Sequence, residues 1–230
     1  MNFQQNEVFM QKYFEILRKC PLFFHIEDEN LIAILSCLGV KVKSYKKRET
    51  VMSEGDPARS FGIVLSGSVQ IVRMDYFGNR SILSGASPSE LFGESFACAG
   101  TNELPVSVIA SENCEIMFVE CFRVLCSCSN ACSFHRQMIY NLMKDVATKN
   151  IMFHQKIEVT SKRSTREKLL TYLMIEAKKN DSRSFNIPYD RQELADYLEV
   201  DRSGLSAEIS KMRDEGIIES QKNHFELLNV

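Results

Sequence analysis

The sequence predicts an α+β chain in three parts: an N-terminal double-stranded β-helix (jelly roll), one long helix, and a C-terminal winged helix-turn-helix. Three observations carry this. Short β segments punctuated by glycine or Asp/Asn turns run from about residue 41 to 119. The stretch from Cys132 to Val159 has no Gly or Pro and carries apolar residues at three- and four-residue steps. Finally, "DRQELADYLEVDRSGLSAEISKMRDEGII" places two capped helices around a tight turn.

The elements follow in order. Phe9, Tyr13, Ile16 and Leu17 recur at helical spacing near the N-terminus, and Leu31, Ile34, Leu35 and Leu38 share one face of a second helix over 29–38. The β segments are "KVKSY", "TVMSEG", "FGIVLSG", "SVQIVRM", "RSILSG", "VSVIA" and "CEIMFV", with turns at Gly55-Asp56, Gly67, Gly78-Asn79 and Gly85. Within this region "LFGESFACAGTNELPVSVIA" opens like an anion cradle. Gly93 lets backbone approach a ligand closely, and Glu94-Ser95-Phe96-Ala97 begins a helical turn. The residues that follow, Glu103, Leu104 and Pro105, include no cation.

In the long helix the stripe is Met138, Leu142, Asp145, Val146, Lys149, Met152 and Phe153, with Ile139 and Met143 alongside. Such a stripe is buried either against a symmetric partner helix or against its own domain. A polar, basic hinge, "VTSKRSTREK", then feeds a helix over 166–178.

In the C-terminal region Asp190 and Glu193 form a capping box, and Leu194, Ala195 and Leu198 face inward. Glu199-Val200 makes the turn, and Asp201 caps a second helix whose inner face is Leu205, Ile209 and Met212. Its outer face carries Arg202, Ser203, Ser206, Ser210 and Lys211, residue types that hydrogen-bond base edges and phosphates. Two further strands joined at Gln221–Asn223 read as a wing. The expected domains are residues 1–131, a central helix over 132–159, and 160–230.

Bulk properties constrain the rest. No apolar run reaches the roughly 18 residues that a bilayer span needs. The N-terminus carries acids and no signal-peptidase pattern, so the expectation is a cytoplasmic protein whose eight cysteines are reduced. The net charge of −2 does not decide nucleic-acid binding, which depends on how Lys and Arg are arranged on one face.

The glycine-punctuated β region with "FGES", the long helix, and "RQELADYLEVDRSGLSAEISKM" together resemble the CRP/FNR family of bacterial transcription regulators over nearly the full length. The resemblance implies a homodimer reading an inverted-repeat DNA operator, with RNA polymerase as a further partner; separately, the apolar pattern and the cysteine and histidine spacing lead us to expect no membrane association and no resident cofactor. Base contacts would fall on Arg202, Ser203, Ser206 and Ala207, and phosphate contacts on Arg191, Gln192, Lys162, Gln221 and Lys222. Ser203 and Ala207 depart from the best-known patterns, so no operator sequence carries over. The central helix would pair with its copy through Met138, Leu142, Val146, Lys149, Met152 and Phe153.

In relatives that bind cyclic nucleotides, an Arg and a following hydroxyl grip the phosphate. Here those positions align with Leu104 and Pro105. Losing a guanidinium–phosphate pair costs about 3 kcal/mol or more, roughly a hundredfold in affinity, so cAMP is not the expected effector. Lys149 and Asn150 stand where such relatives present hydroxyls to the purine. Three readings remain open: an unidentified small effector held by Gly93, Glu94, Ser95, Ser107, Lys149 and Asn150; a vestigial pocket filled by Leu104 and Pro105; or a redox or metal response.

Cys121, Cys126, Cys128 and Cys132 fit neither a zinc pair nor a ferredoxin run, and Cys20 and Cys37 stand alone nearer the N-terminus, so buried free thiols are expected. His25, His135, His154 and His224 form no ligand-like pair and are expected at the surface or core edge. No P-loop, G-x-S-x-G or H-E-x-x-H occurs, and no enzyme is expected. The rival reading from another class is a regulatory module that docks a protein partner.

Overall fold

The computed structural model describes residues 12–126 and 133–228. Two compact units divide them. One takes the chain through Arg73 together with Ser84–Lys149, and the other takes Met74–Leu83 with the chain from Asn150 onward.

In the first unit a helix over residues 12–19 (α1) and a 3-10 turn at Pro21–Phe23 precede α2 (Asp28–Leu38), which Gly39 ends in the left-handed conformation. Phe9, assigned to the first helix, lies outside the described residues. Eight strands follow: β1 (Lys41–Tyr45), β2 (Thr50–Met52), β3 (Ser60–Ser66), β4 (Val69–Met74), β5 (Arg80–Ala86), β6 (Leu91–Phe92), β7 (Ser107–Ala110) and β8 (Cys114–Glu120). They form two four-stranded sheets, β1-β8-β3-β6 and β2-β7-β4-β5, the sandwich that many short, turn-punctuated strands predict.

β6, which the sequence reading did not assign as a strand, pairs Phe92 with Gly62 of β3. A Cβ at Gly62 would stand 2.1 Å from the Phe92 ring, so only glycine permits that approach. α3 (Glu94–Ala99) leaves directly from β6, and α4 (Cys121–Leu125) follows β8.

The core gathers Leu17, Ile34, Leu38, Phe61, Ile63 and Met117 with two residues of the long helix α5 (Ser133–Thr160), Met138 and Leu142, which are 0% and 2% exposed. This takes Met138 and Leu142 out of the expected dimer seam, whereas Met152 and Phe153 of that seam are exposed. Met138 and Leu142 are spent on their own unit, because a helix with apolar residues at both three- and four-residue steps offers two stripes, and the sandwich takes this one. Lys149 turns to the same side. Asn141, also on this side, donates to the carbonyls of Leu22 and Phe24 at 2.9 and 2.7 Å, fastening α5 to the 3-10 turn.

The second unit contains α6 (Thr165–Asn180), opened by a Ser164–Glu167 capping box, then β9 (Ser184–Asn186), α7 (Arg191–Leu198), α8 (Arg202–Asp214), β10 (Ile218–Gln221) and β11 (His224–Leu227). Its sheet runs β10-β11-β9, so the wing has a third strand absent from the sequence reading. The β4–β5 hairpin tip belongs to this unit, with Arg80 3.8 Å from Asp196 of α7. Among the described residues no helix is long and apolar enough to cross a membrane.

Candidate nucleic-acid interface and ligand pocket

Local chemistry builds the helix pair. Glu193 N donates to Asp190 Oδ1 at 2.9 Å while Asp190 N donates to Glu193 Oε2 at 2.9 Å, closing the capping box of α7. Glu199, at φ +54°, ends that helix, and Val200 N returns to the Ala195 carbonyl. Asp201 accepts from Gly204 N at 2.8 Å and from the Ser203 hydroxyl, starting α8. These donors hold the Asp201 carboxyl below its ordinary range, the Ser203 hydroxyl first. Leu194, Ala195, Leu198, Leu205 and Met212 are fully buried between the helices.

The outward face of α8 presents Arg202, Ser203, Ser206, Ala207, Ser210 and Lys211, all exposed. Two serine hydroxyls are already donating, Ser203 to Asp201 and Ser210 to the Ser206 carbonyl at 3.2 Å, which leaves their lone pairs to accept from a base or its water. Gln221 and Lys222 are exposed at the wing turn, Lys222 at φ +54°. Asn223 ties that turn to Ile187 through N–H and carbonyl groups. Lys162 is half-buried in the α5–α6 connection, and exposed Gln192 donates to Asp196 at 2.8 Å.

Arg191 is not presented as the free cation that the sequence suggests. Its guanidinium donates to Ser220 Oγ and lies over the Phe225 ring, 4.9 Å from the centroid. It clips the start of α7 to the wing.

Sequence reasoning also missed the supports behind the helix pair. Arg166 of α6 pairs with Glu208 at 2.9 Å and with Glu215, holding α6 against α8. At the other end of α7 two lysines meet the last carbonyls. Lys168 reaches those of Leu198 and Glu199 at 3.2 Å each, and the buried Lys156 of α5 reaches that of Tyr197 while sitting 3.8 Å from the Tyr197 ring centroid. Burial lowers the Lys156 ammonium to about 8. Basic residues at a helix C-terminus are a recognised signal, but these come from other helices and no sequence spacing reveals them.

In the first unit the expected pocket residues part company. Leu104 is 2% exposed and is held by backbone bonds to Gly55 and Asp56, whereas Pro105 is exposed and fills no core space. The Ser107 hydroxyl accepts from Glu54 N at 3.0 Å, and the Ser95 hydroxyl donates to Glu94 Oε1 at 3.3 Å. Gly93 takes φ +79° to launch α3.

Glu94 is buried at 2%, and Lys149 comes to it. The Lys149 ammonium donates to the Leu91 carbonyl at 2.7 Å, lies 3.0 Å from Glu94 Oε1, and lies 3.1 Å from Asp145 Oδ2. Burial pushes the Asp145 carboxyl up, and Lys149 opposes that shift. Asn150 is exposed. A cavity of about 150 Å³ lies elsewhere, lined by Arg18, Phe23, His25, Ile26 and Asp28 among others.

Cys121 is a buried free thiol, as expected. Its sulfur lies 3.5 Å from that of Cys98, Cys126 is exposed, and Cys128 and Cys132 lie outside the described residues. The hydrogen bond that the two thiols share raises the thiol of Cys98 and lowers that of Cys121. Cys20 is fully buried, and burial pushes its thiol up to about 12. His135 is buried rather than at the surface, with its ring 4.0 Å from the Cys37 sulfur.

Comparison with known proteins fits this arrangement. A cyclic nucleotide-binding domain family matches residues 42–121, and a Crp-like helix-turn-helix domain family matches residues 167–230. The transcriptional activator protein FnrA of Stutzerimonas stutzeri is 24% identical over 91% of this chain and 84% of its own length. A CRP-like cAMP-activated global transcriptional regulator of Mycobacterium tuberculosis is 31% identical over 35% of each chain. Among solved structures, FixK2 from Bradyrhizobium japonicum superposes with a TM-score of 0.65 at 19% identity, covering 83% of this chain and 93% of its own. The regulator CLP of Xanthomonas campestris superposes with a TM-score of 0.70 at 17% identity, covering 86% and 99%. With both domain families matched in this order along one chain, beside a relative aligned over most of its length, the chain belongs to the CRP/FNR family of transcription regulators and is not an enzyme.

Proposed function

We propose that the protein is a cytoplasmic homodimer that inserts α8 into successive major grooves of an inverted-repeat operator and acts on transcription together with RNA polymerase. The observation that carries this reading is the α8 face itself. A doubly capped, internally buried helix pair leaves Arg202, Ser206, Ala207 and Lys211 exposed on one side with the wing turn beside them. Arg202 reads a base, and Lys162, Lys222 and Gln221 meet phosphates. Selection from random DNA should enrich a two-fold symmetric site. Arg202→Ala should relax base choice at one position per half-site by about 1–3 kcal/mol, while Lys162→Ala should weaken all sequences alike. A pool with no enriched repeat sinks this reading in favour of a protein-docking module.

The dimer seam we assign differs from the one first expected. At about 100° per residue, Tyr140, Met143, Ala147, Ile151, His154 and Ile157 share the side of α5 away from Met138 and Leu142. All six are exposed, Met143 and Ile151 at 62% and Ile157 at 61%. Their steps approximate a heptad seam. Ile157→Glu should shift the particle from dimer to monomer in sedimentation, and an unchanged dimer would place the seam elsewhere.

The M. tuberculosis relative is named for cAMP activation, but the buried Leu104 and the carboxylates of Glu94 and Asp145 argue against a cyclic nucleotide phosphate here. Calorimetric titration with cAMP should show no heat of binding; micromolar affinity would overturn this. A second reading rests on Cys98 and Cys121, whose sulfurs are close enough to join after a small shift. Exchange with oxidised glutathione would form their disulfide and release two molecules of reduced glutathione. A disulfide seen by intact mass, with operator affinity altered and restored by dithiothreitol, supports it. No disulfide, or no change in affinity, removes it.

A further inference from the structure

Three oxygens surround the Lys149 ammonium, one by a hydrogen bond and two by ion pairing. Its ammonium donates to the Leu91 carbonyl at 2.7 Å and makes ion pairs with Glu94 Oε1 at 3.0 Å and with Asp145 Oδ2 at 3.1 Å, an oxygen that is buried with no hydrogen-bond partner among the described residues. The acceptors come from β6, α3 and α5, so the group ties the long helix to the sandwich. Two carboxylates face one ammonium, which leaves the site with an excess negative charge. The second oxygen of Glu94, Oε2, is buried without a hydrogen-bond partner among the described residues. An anionic ligand entering here would meet that charge unpaired; a cation would relieve it.

We infer that the Leu91 carbonyl, Glu94 and Asp145 form a primary-ammonium binding site, occupied in this chain by the side chain of Lys149 as a tethered ligand. This deepens the reading of a regulator that does not answer to cAMP, and it rests on that reading for its regulatory meaning. Lys149 is the last residue of α5 grouped with the first unit, and residues 150–155 beyond it are all exposed. An occupied site therefore fixes α5 as far as Lys149 without any external molecule.

Chemical rescue tests this. Lys149→Ala removes a fragment equivalent to n-propylammonium and leaves both carboxylates in place. The variant's first unit should melt roughly 6–12 °C lower than the wild type. Added n-propylammonium chloride should restore at least half of that loss, whereas 1-propanol and tetramethylammonium chloride should not, and the wild type should respond to none of them. Equal responses of wild type and variant, or rescue by the alcohol, would overturn the site. Should Lys149→Ala not fold, Lys149→Met with Glu94→Gln decides. The double variant should melt higher than Lys149→Met alone because one uncompensated carboxylate is gone, and no gain would overturn the proposal. Neither measurement uses DNA. A failed operator selection with successful rescue would sink the regulator reading and leave the site, and the converse result would do the opposite.

Discussion

Lys149 and Lys156 stand seven residues apart on one side of α5, and both ammonium groups are drawn inward. Lys149 meets two carboxylates and a carbonyl. Lys156 meets the Tyr197 carbonyl and ring; no carboxylate among the described residues touches it, and the charge of Glu199 only partly offsets its burial. The first charge is matched by opposite charge, the second by dipoles and a π face. The difference teaches what a buried cation does in each setting. At Lys149 the lysine neutralises partners that would otherwise be stranded, so its removal harms the fold through them. At Lys156 the lysine is itself the stranded group, which is why burial lowers it to about 8.

Replacing each lysine by methionine separates the two cases. Lys149→Met leaves Glu94 and Asp145 facing burial without a cation and should cost about 3–5 kcal/mol, read as a lowered melting transition of the first unit by calorimetry. Lys156→Met leaves one carbonyl without a donor and removes a cation that was costly to bury, so its effect at neutral pH should stay near 1 kcal/mol. If the two substitutions cost the same, the distinction between the sites is wrong.

The pH dependence sharpens it further. The folded-state value for Lys156 lies below its ordinary 10.5. Below pH 8 both folded and unfolded chains carry the proton, and the full penalty is present. Between pH 8 and 10 the unfolded chain keeps a proton that the folded chain has released, so stability rises with pH. The wild type should gain up to about 2 kcal/mol over that interval relative to Lys156→Met, measured by urea denaturation of the second unit. Parallel curves for the two proteins would mean that Lys156 stays charged throughout.

The same contrast explains what could be read in the sequence. The helix-turn-helix was legible because its determinants are local: Asp190 and Glu193 are three residues apart, as are Asp201 and Gly204, and each pair closes a hydrogen bond within one turn. The strands were legible where four or more residues stood between glycine turns. β6 was missed because two residues carry no period, and β9 because, unlike the equally short β2 before Gly55, it has no glycine turn beside it. The lysine sites were out of reach for another reason. Lys149 finds Leu91 across 58 residues and Lys156 finds Tyr197 across 41. The family resemblance placed Lys149 near the pocket, but neither spacing nor composition told that it would face Glu94. The α5 seam shows the limit of periodicity, since the steps that select Met138 and Leu142 fit nearly as well on the side of Met143 and Ile157, and only packing against the sandwich distinguishes them.

Arg191 carries the comparison to its smallest expected effect. It is a half-buried cation that, like the more deeply buried Lys156, is matched by a dipole and an aromatic ring, here Ser220 and Phe225, with no carboxylate in the pairing. The resemblance assigns it to a DNA phosphate, and the two roles make different predictions. As a clip between α7 and the wing, it contributes one hydrogen bond and one cation–π contact, so Arg191→Ala should lower the stability of the second unit by about 1 kcal/mol without DNA. The salt dependence of operator binding should then keep its slope, because no released counterion was tied to Arg191. As a phosphate contact it would leave the free protein's stability alone and reduce that slope by about 1. Lys222→Ala at the exposed wing turn supplies the control that should show the second pattern. Arg191 and Lys222 behaving alike in both measurements would mean that a cation held over a ring is as available to DNA as one in open solvent, and the distinction drawn from Lys149 and Lys156 would not extend beyond α5.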